Sequence, residues 1–190
     1  MTRKNTGLDP LNPDRLATRF FLLEMLCLPS IQSQTNQNFT WIILVDPNLN
    51  GPSVNKLEEL VSQRPNTILH QHIPTIDFLS LDWLVPYMEE DVDYILTSNF
   101  DDDDTASENF VSHLHEKIFD QAAKNKLPVM KTYGFREIIT WDIVSSDKHP
   151  FGTISPWNRK TKVSSCGFSF LCKYPEYDIN AMGMEHRYAM

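Results

Sequence analysis

Residues 93–104 read Asp-Tyr-Ile-Leu-Thr-Ser-Asn-Phe-Asp-Asp-Asp-Asp, and this stretch decides the fold prediction. Its first part, Asp93 to Thr97, has the apolar character of a buried strand. In open α/β sheets ligands bind beyond the carboxyl ends of the strands, so we expect the acidic run that follows to face a ligand. Where the backbone stays extended, Asp101 and Asp103 project to one side and Asp102 to the other.

A second buried strand is predicted over Thr40 to Val45, which is apolar on both faces. Asp46 follows the carboxyl end of this strand and precedes a turn sequence. We predict that the strand lies beside the one at 93–97, with the carboxylates of Asp46 and Asp101 within about ten ångströms of each other. In the alternative interpretation, Asp46 is a turn residue whose side chain bonds to the nearby backbone.

The rest of the chain alternates between helix and strand patterns and becomes β-rich after Leu127. This order favours an α/β sheet with an irregular side that faces the substrate. The remaining helices are predicted over 15–26, 53–62, 77–89 and 105–123, and the remaining strands over 67–70, 129–132, 138–144 and 166–172.

Local signals set the expected boundaries of these elements. Asp14 is expected to cap the first helix, and Pro29 either to stop it or to open a second short turn. A capping box at Thr105–Glu108 is expected to begin the last helix. Trp83 and Trp141 are expected in the core.

The charge is unevenly distributed along the 190 residues. The net charge is -8, and the 52 residues between Arg64 and Lys117 hold twelve acids and no Lys or Arg. This balance disfavours a nucleic-acid partner and predicts an acidic centre that attracts cations. The three cysteines lack metal or disulfide spacing, and no apolar run is long enough for a transmembrane segment, so we expect a cytoplasmic protein.

Four adjacent carboxylates repel one another, so a fold that holds them together favours a bound cation. Oxygen ligands suit Mg²⁺ or Mn²⁺, which share their coordination with substrate phosphates. The plainer alternative is a solvated loop whose aspartates help to cap the following helix. Walker and GxGxxG motifs are absent, as is an EF-hand pattern.

Several motifs together, in their order and spacing, resemble the putative rhamnosyltransferases. That family is similar to the family-2 glycosyltransferases. The motifs are Leu28-Pro-Ser-Ile31, Gln34-Thr35, Asn38-Phe-Thr-Trp41, Asp46, Thr97-Ser-Asn-Phe-Asp-Asp-Asp-Asp104 and Gly167-Phe-Ser169. The resemblance runs from about Thr2 to the C-terminus, and it implies a single domain over 1–190 in a truncated or minimal form. The implied fold is a nucleotide-sugar-binding mixed sheet flanked by helices, of the glycosyltransferase A type.

The resemblance also implies a reaction, the transfer of a sugar such as rhamnose from a nucleotide-sugar donor to a hydroxyl of a glycan or other acceptor. A divalent metal, Mn²⁺ or Mg²⁺, would neutralise charge on the leaving diphosphate. The resemblance further implies a role for individual residues. Donor binding would fall to Arg3, Asp46, Asp101 and Asp102. Asp103 and His186 would be metal ligands, and Glu185 would be the general base.

The chain departs from the family pattern at two points. Asn99 stands where the family has an arginine, and the family's first strand would end near Arg3, so that strand is expected to be missing. Two other functions therefore stay open. One is a non-catalytic binding or scaffold protein, and the other is a different metal hydrolase that uses the aspartate run.

Overall fold

The computed structural model describes residues 9, 11–71, 79–134, 137–158 and 166–182, except for the side chains of residues 137, 157 and 158. Arg3, Glu185 and His186 lie outside the described residues. The chain forms two compact units. Unit 1 comprises residues 1–77 and 101–127, and unit 2 comprises residues 78–100 and 128–190.

Unit 1 combines helices with one pair of parallel strands. Its elements are α1 (Pro13–Leu22), a π-helical turn (Leu23–Cys27), α2 (Leu28–Gln32), β1 (Trp41–Val45), α3 (Gly51–Val61), β2 (Thr67–Gln71) and α4 (Phe110–Ala123). The predicted strands at 40–45 and 67–70 and the helix at 53–62 are confirmed to within two residues. β1 pairs with β2 in parallel, from Trp41 beside Thr67 to Val45 beside Gln71.

The first helix begins earlier than predicted. Asn12 is its cap, because the Asn12 Oδ1 accepts hydrogen bonds from the backbone N–H groups of Asp14 (3.0 Å) and Arg15 (3.3 Å). Asp14 lies inside the first turn and is not the cap. Pro29 lies at the start of α2, where it lacks only an N–H that would be unsatisfied anyway, so the prediction of a second short turn is confirmed.

The core of unit 1 joins the first helical region to the parallel strands. Five buried residues form its centre, namely Leu23, Cys27, Ile31, Val45 and Leu57. The first three recur every four residues, which places them on one face of the helical run. Burial of this face against β1 and α3 stabilises unit 1 through the hydrophobic effect.

Unit 2 is built around a three-stranded antiparallel sheet. Its elements are a 3₁₀ helix (Asp82–Tyr87), β3 (Tyr94–Asn99), β4 (Met130–Tyr133), β5 (Glu137–Asp142), β6 (Thr153–Asn158) and β7 (Phe168–Lys173). β7 lies between β3 and β4 and pairs antiparallel with both. Its central residues Ser169, Phe170 and Leu171 are fully buried, as expected for a middle strand.

The helix predicted over 77–89 is wrong for its described part. Only Asp82–Tyr87 is helical, as a 3₁₀ helix that contains Pro86. The preceding backbone is held by side chains instead of helical bonds, because Asp178 Oδ1 accepts from the Leu81 N–H at 2.6 Å and Asn180 Nδ2 donates to the Ser80 carbonyl at 2.7 Å. These partners lie about a hundred residues away, so local periodicity does not reveal them.

β5 and β6 form an antiparallel hairpin, of which only β5 was predicted. Trp141 on β5 is 43% exposed, so its predicted place in the core is wrong. Across both units the structure confirms a mixed α/β composition. Within the described residues, no helix combines the length and apolar character needed to cross a membrane.

Candidate functional site

The four aspartates form a closed turn in unit 1, which we call the aspartate turn (Asp101–Asp104). The Asp104 N–H donates to the Asp101 carbonyl, and the Asp101 N–H donates back to Asp104 Oδ2, both at 3.1 Å. The backbone is therefore not extended here. Asp101 and Asp103 are nevertheless the exposed pair, while Asp102 and Asp104 are half-buried.

Asp102 is tied to the first helix. Its Oδ2 accepts a hydrogen bond from Arg19 Nε at 2.6 Å, which makes an ion pair across 83 residues of sequence. Burial raises the pKa of the Asp102 carboxyl, and Arg19 opposes this effect only in part. Sequence reasoning missed Arg19, since its local sequence does not distinguish it from the other 16 Lys and Arg residues.

The thiol of Cys27 lies in the electrostatic field of the aspartate turn. Burial, as the largest cause, and the negative charges of Asp102, Asp104 and Asp103 together raise the pKa of Cys27 to about 12. The protonated thiol is a weak nucleophile and a poor metal ligand. Cys27 therefore lies as a buried, protonated thiol in the core of unit 1, within the electrostatic field of the aspartate turn.

Two residues of the α2 region hold the segment that follows the aspartate turn. The buried Gln34 side chain donates through Nε2 to the carbonyls of Ser30 (2.9 Å) and Ser107 (2.7 Å), and its Oε1 accepts from the Val111 N–H (3.1 Å). Ser30 Oγ accepts from the Ala106 N–H at 3.2 Å. Ser30 and Gln34 thus position the chain between the aspartate turn and α4.

The next two residues continue this attachment along α4. The Thr35 N–H donates to the Glu108 carbonyl at 2.8 Å, and its hydroxyl lies 2.8 Å from Ser112 Oγ. Asn36 Nδ2 lies 3.1 Å from His115 Nδ1. Gln34 and Thr35 therefore have a structural role, since they attach the α2 region to α4. The sequence had marked them only as one of the motifs shared with the family.

These contacts explain why the predicted capping box is wrong. α4 begins at Phe110, and its N-cap Asn109 makes no side-chain capping hydrogen bond. The carbonyls of Ser107 and Glu108 accept instead from Gln34 and Thr35, as described above. The residues Thr105–Glu108 are therefore held as an irregular connection from the aspartate turn to the helix.

Asp46 makes the local turn contact that was the alternative interpretation. Its Oδ1 accepts from the Asn48 N–H at 2.8 Å and from Asn48 Nδ2 at 3.2 Å, and the residue is exposed. The second carboxylate oxygen remains as an acceptor for a ligand. In the described sheets β1 pairs with β2, and β3 pairs with β7. The placement of β1 beside β3 stays a prediction, and so does the short distance between the carboxylates of Asp46 and Asp101.

The Gly167-Phe-Ser169 motif lies in unit 2 and organises the sheet. Ser169 is fully buried, and its hydroxyl donates to the Gly167 carbonyl at 3.0 Å and lies 2.7 Å from Ser98 Oγ. Gly167 has a φ of +67°, which favours glycine, and its N–H donates to the Asn99 carbonyl at 3.0 Å. The motif therefore secures the end of β3 that precedes the aspartate turn in sequence.

The carboxylates fit a particular kind of metal site. Within the described ranges, no group of three or more His, Cys, Asp or Glu side chains could hold an ion by itself. Asp102 is engaged by Arg19, but Asp101 and Asp103 face solvent. Mg²⁺ commonly binds through one or two carboxylates and shares its other positions with water and phosphate oxygens. Two exposed carboxylates could supply the protein's share of such a site, but they do not form an all-protein cage.

An open cavity of about 370 Å³ lies elsewhere in unit 1, between α1 and the start of α3. Its walls include Phe20 and Lys56, and the Lys56 ammonium lies 5.2 Å from the Phe20 ring centre and 3.4 Å from Glu24 Oε2. No lining residue belongs to the aspartate turn. The cavity is therefore not the place where the acidic side chains would meet a ligand.

Comparison with known proteins identifies the family. The family model described as "Putative rhamnosyl transferase" matches residues 10–131, which include all the helices and strands of unit 1 and both Asp46 and the aspartate turn. Arg3, Gly167-Phe-Ser169, Glu185 and His186 lie outside the match, which is shorter than the range expected from the motifs. No curated protein and no solved structure gives a significant match. The chain belongs to the putative rhamnosyl transferase family, whose matched region contains the aspartate turn.

Proposed function

We propose that this protein is a cytoplasmic, metal-dependent glycosyltransferase, in which the two units form a single domain of the glycosyltransferase A type. It would move a sugar, rhamnose by the family's description, from a nucleotide-sugar donor to a hydroxyl of a glycan or other acceptor. Family membership supports the reaction class. The geometry of the aspartate turn supports the way in which the donor would be held.

The observation that carries the proposal is the division of the aspartate turn into two pairs. Asp102 and Asp104 are half-buried and used within the protein, by Arg19 and by the Asp101 N–H. Asp101 and Asp103 are exposed on the same short turn. A turn that only capped a helix would not need this arrangement, since α4 begins six residues after Asp104.

Each residue then has a proposed role. Asp103 would hold Mn²⁺ or Mg²⁺ together with the donor phosphates, and Asp101 would accept hydrogen bonds from the ribose hydroxyls. When bound, the metal would supply positive charge that stabilises the leaving diphosphate. Asp46 would contact the base or ribose through its second carboxylate oxygen. The proposed roles of Arg3, Glu185 and His186 rest on the resemblance alone.

Arg19 could supply part of the positive charge that is missing because Asn99 stands where the family has an arginine. The aspartate turn alone would repel a diphosphate, and the expected arginine is absent from the sequence just before it. Arg19 brings a guanidinium into contact with Asp102, so one negative charge of the turn is neutralised. We propose that this pair reduces the repulsion between the turn and the donor.

The test is calorimetric titration of the protein with UDP, dTDP and GDP, each with and without Mn²⁺. At least one nucleotide should bind in a metal-dependent way, and Asp103→Ala should abolish that binding while the far-UV spectrum stays unchanged. Asp120→Ala is the matched control, because Asp120 is an exposed aspartate on α4 in the same unit. Binding that is unchanged in Asp103→Ala would refute the metal assignment.

The same protein samples separate the two other functions. Release of phosphate from the nucleotide without any acceptor would favour a metal hydrolase. Absence of binding for all three nucleotides, with the protein folded, would favour a non-catalytic scaffold. Transfer of sugar from the bound nucleotide's sugar ester to an acceptor glycan, detected by mass spectrometry, would establish the glycosyltransferase.

A further inference from the structure

Two neighbouring residues, Thr35 and Asn36, attach the segment before β1 to α4. The Thr35 N–H donates to the Glu108 carbonyl at 2.8 Å, and the Thr35 hydroxyl lies 2.8 Å from Ser112 Oγ. Asn36 Nδ2 lies 3.1 Å from His115 Nδ1, three residues further along the helix. A titratable ring therefore forms one end of this attachment.

The backbone fixes the orientation of the Asn36 amide. Its Oδ1 accepts a hydrogen bond from the Asn38 N–H at 2.9 Å, and a backbone N–H can only donate. The amide nitrogen is therefore the atom that faces His115. Because an NH₂ group has only donors to offer, His115 Nδ1 has to be the acceptor of this hydrogen bond.

The contact therefore exists only with the neutral imidazole. A neutral histidine that accepts through Nδ1 carries its proton on Nε2, whereas both ring nitrogens of a protonated histidine are donors. Protonation of His115 would place a ring N–H against the NH₂ group of Asn36. Two donors cannot form a hydrogen bond, so a single proton removes the contact.

The surroundings of His115 on its own helix favour the same neutral form. The side chain is half-buried, and this burial lowers the pKa of His115 from its ordinary value of 6.5. The positions three and four residues away on α4 are occupied by Val111, Ser112, Ile118 and Phe119, none of which carries a charge. The Phe119 ring meets the imidazole edge-on, with 5.8 Å between the ring centres.

The segment that packs against His115 brings no charge either. Residues 33–40 include no Asp, Glu, His, Lys or Arg. The titratable neighbours in sequence, His113, Glu116 and Lys117, lie one or two positions from His115 and therefore face other sides of the helix. A protonated His115 thus gains no carboxylate partner from either element of the contact.

This contact adjoins the residues that hold the chain after the aspartate turn. Gln34 and Thr35, which directly precede Asn36, bind the carbonyls of Ser107 and Glu108. Neighbouring hydrogen bonds in one network support each other. Loss of the contact at Asn36 should therefore also weaken the adjacent hydrogen bonds of Thr35.

We propose that Asn36 and His115 form a pH-sensitive link, which holds the segment before β1 on α4 while His115 is neutral and releases it when the ring is protonated. Acid would thereby loosen the connection between the aspartate turn and α4. The link needs nothing of the chemistry of the aspartate turn, so it holds whether or not the protein transfers a sugar.

The sign of the pH effect follows from the number of bound protons. The unfolded chain takes up a proton on His115 near the ordinary value of 6.5, whereas the folded chain does so only at a lower pH. Between these two values the unfolded state binds more protons. The contribution of the link to stability is therefore fully present above pH 6.5 and is lost as the pH falls to the pKa of the folded state.

The direct test is an NMR titration of the imidazole nitrogens in the full chain. His115 Nδ1 should carry no proton in the neutral form, and the ring should titrate below 6.5. From about pH 7.5 to about pH 5, the protection factor of the Thr35 N–H against hydrogen exchange should fall about two- to tenfold, as expected for one lost hydrogen bond. A proton on Nδ1 in the neutral form, or titration at or above 6.5, would overturn the proposal.

Variants on both sides of the contact identify the group responsible. His115→Asn places a carbonyl oxygen near the position of Nδ1, which accepts from Asn36 and does not titrate, so the loss of protection in acid should disappear. Asn36→Asp offers a carboxylate to the protonated ring, so protection of the Thr35 N–H should instead rise in acid. His113→Asn is the matched control, because His113 is an exposed histidine on the same helix, and it should behave like the wild type.

The outcome of these variants is decisive in either direction. A loss of protection in His115→Asn equal to that of the wild type would show that another group titrates, and it would overturn the proposal. So would a loss that disappears in His113→Asn. If a variant does not fold, the protonation state of Nδ1 in the wild type decides alone, because the proposal requires that nitrogen to be an acceptor.

Discussion

Arg19 on α1 and Asp102 in the aspartate turn form an ion pair with 2.6 Å between Nε and Oδ2. Their side chains are 47% and 26% exposed, so the pair lies at the edge of the packed region and not in the deep core. It links the first helix of unit 1 to the acidic turn 83 residues later in the chain. The conformation of the candidate site therefore depends on a residue outside that site.

We predict that Arg19→Ala lowers the free energy of unfolding by about 1–2 kcal/mol, because it leaves a half-buried carboxylate without its cation. Solvent exposure of Arg19 keeps the cost below that of a fully buried pair. Denaturant unfolding measures the change. Arg15→Ala, which removes an exposed cation from the same helix, should change stability by less than about 0.5 kcal/mol.

A double-mutant cycle isolates the contact itself. The combined variant Arg19→Ala, Asp102→Asn should be more stable than Arg19→Ala alone, since the uncompensated charge is gone. The coupling energy comes from all four proteins, the wild type, the two single variants and the double variant, and a value of zero would mean that the ion pair contributes nothing.

The raised pKa of Asp102 predicts a pH dependence with a definite sign. The folded chain keeps the proton on Asp102 at pH values where the unfolded chain, with the ordinary value of 3.8, has lost it. In that window the folded state binds more protons, so this group's contribution to stability falls as pH rises. The free energy of unfolding of the wild type, relative to Asp102→Asn, should therefore decrease as the pH rises above 3.8, until the folded state has also lost the proton. A relative increase over this range would show that Arg19 outweighs burial.

We predict that Gln34→Ala costs about 2–4 kcal/mol of stability, because the buried amide makes three hydrogen bonds. Its loss takes the side-chain partner from the Val111 N–H and leaves the Ser107 carbonyl with the Phe110 N–H as its donor. Chemical denaturation gives the total cost, and amide exchange at the start of α4 should speed up. Gln37→Ala is the control, since Gln37 also donates to three carbonyls but is exposed. A similar cost for both glutamines would show that Gln34 does not anchor α4.

Thiol labelling tests the surroundings of the cysteines. Burial raises the pKa of Cys27 to about 12 and that of Cys172 to about 11, so both should resist iodoacetamide in the folded protein at about pH 8. Cys166 is partly exposed and should react first. Mass spectrometry of timed samples gives the order, and Cys166→Ser should lack the fast phase. Early modification of Cys27 would contradict the burial of its thiol in the core of unit 1.

Asp46→Asn separates the turn contact from a ligand contact. Asparagine keeps an oxygen that can accept from the Asn48 N–H, so stability should change by less than about 0.5 kcal/mol. If Asp46 contacts the donor, the loss of its charge should weaken nucleotide binding several-fold in calorimetric titration. Unchanged nucleotide affinity would leave Asp46 with the turn contact alone. Asp46→Ala, which also removes the acceptor, should cost more stability than Asp46→Asn.

Strong local patterns were enough to predict several elements. β1, β2 and β3 are short apolar or β-branched runs bounded by turn residues, and α3 follows an asparagine cap and a proline with a clear apolar stripe. The sequence also indicated the position of the candidate site, because four adjacent aspartates directly follow a predicted strand. In each case the physical cause, periodic burial or charge repulsion, acts between near neighbours in the chain.

The sequence by itself therefore determined β1, β2, β3 and α3, the position of the acidic run and the family. Tertiary structure decided which aspartates are exposed, because Arg19 and the Asp101 N–H, which engage the other two, meet them only after folding. It also decided where α4 begins, since Gln34 and Thr35 take the carbonyls of Ser107 and Glu108. Finally, it left Trp141 on an exposed hairpin instead of in the core. These outcomes depend on hydrogen bonds, ion pairs and burial between distant residues, which the spacing of residues along one segment does not encode.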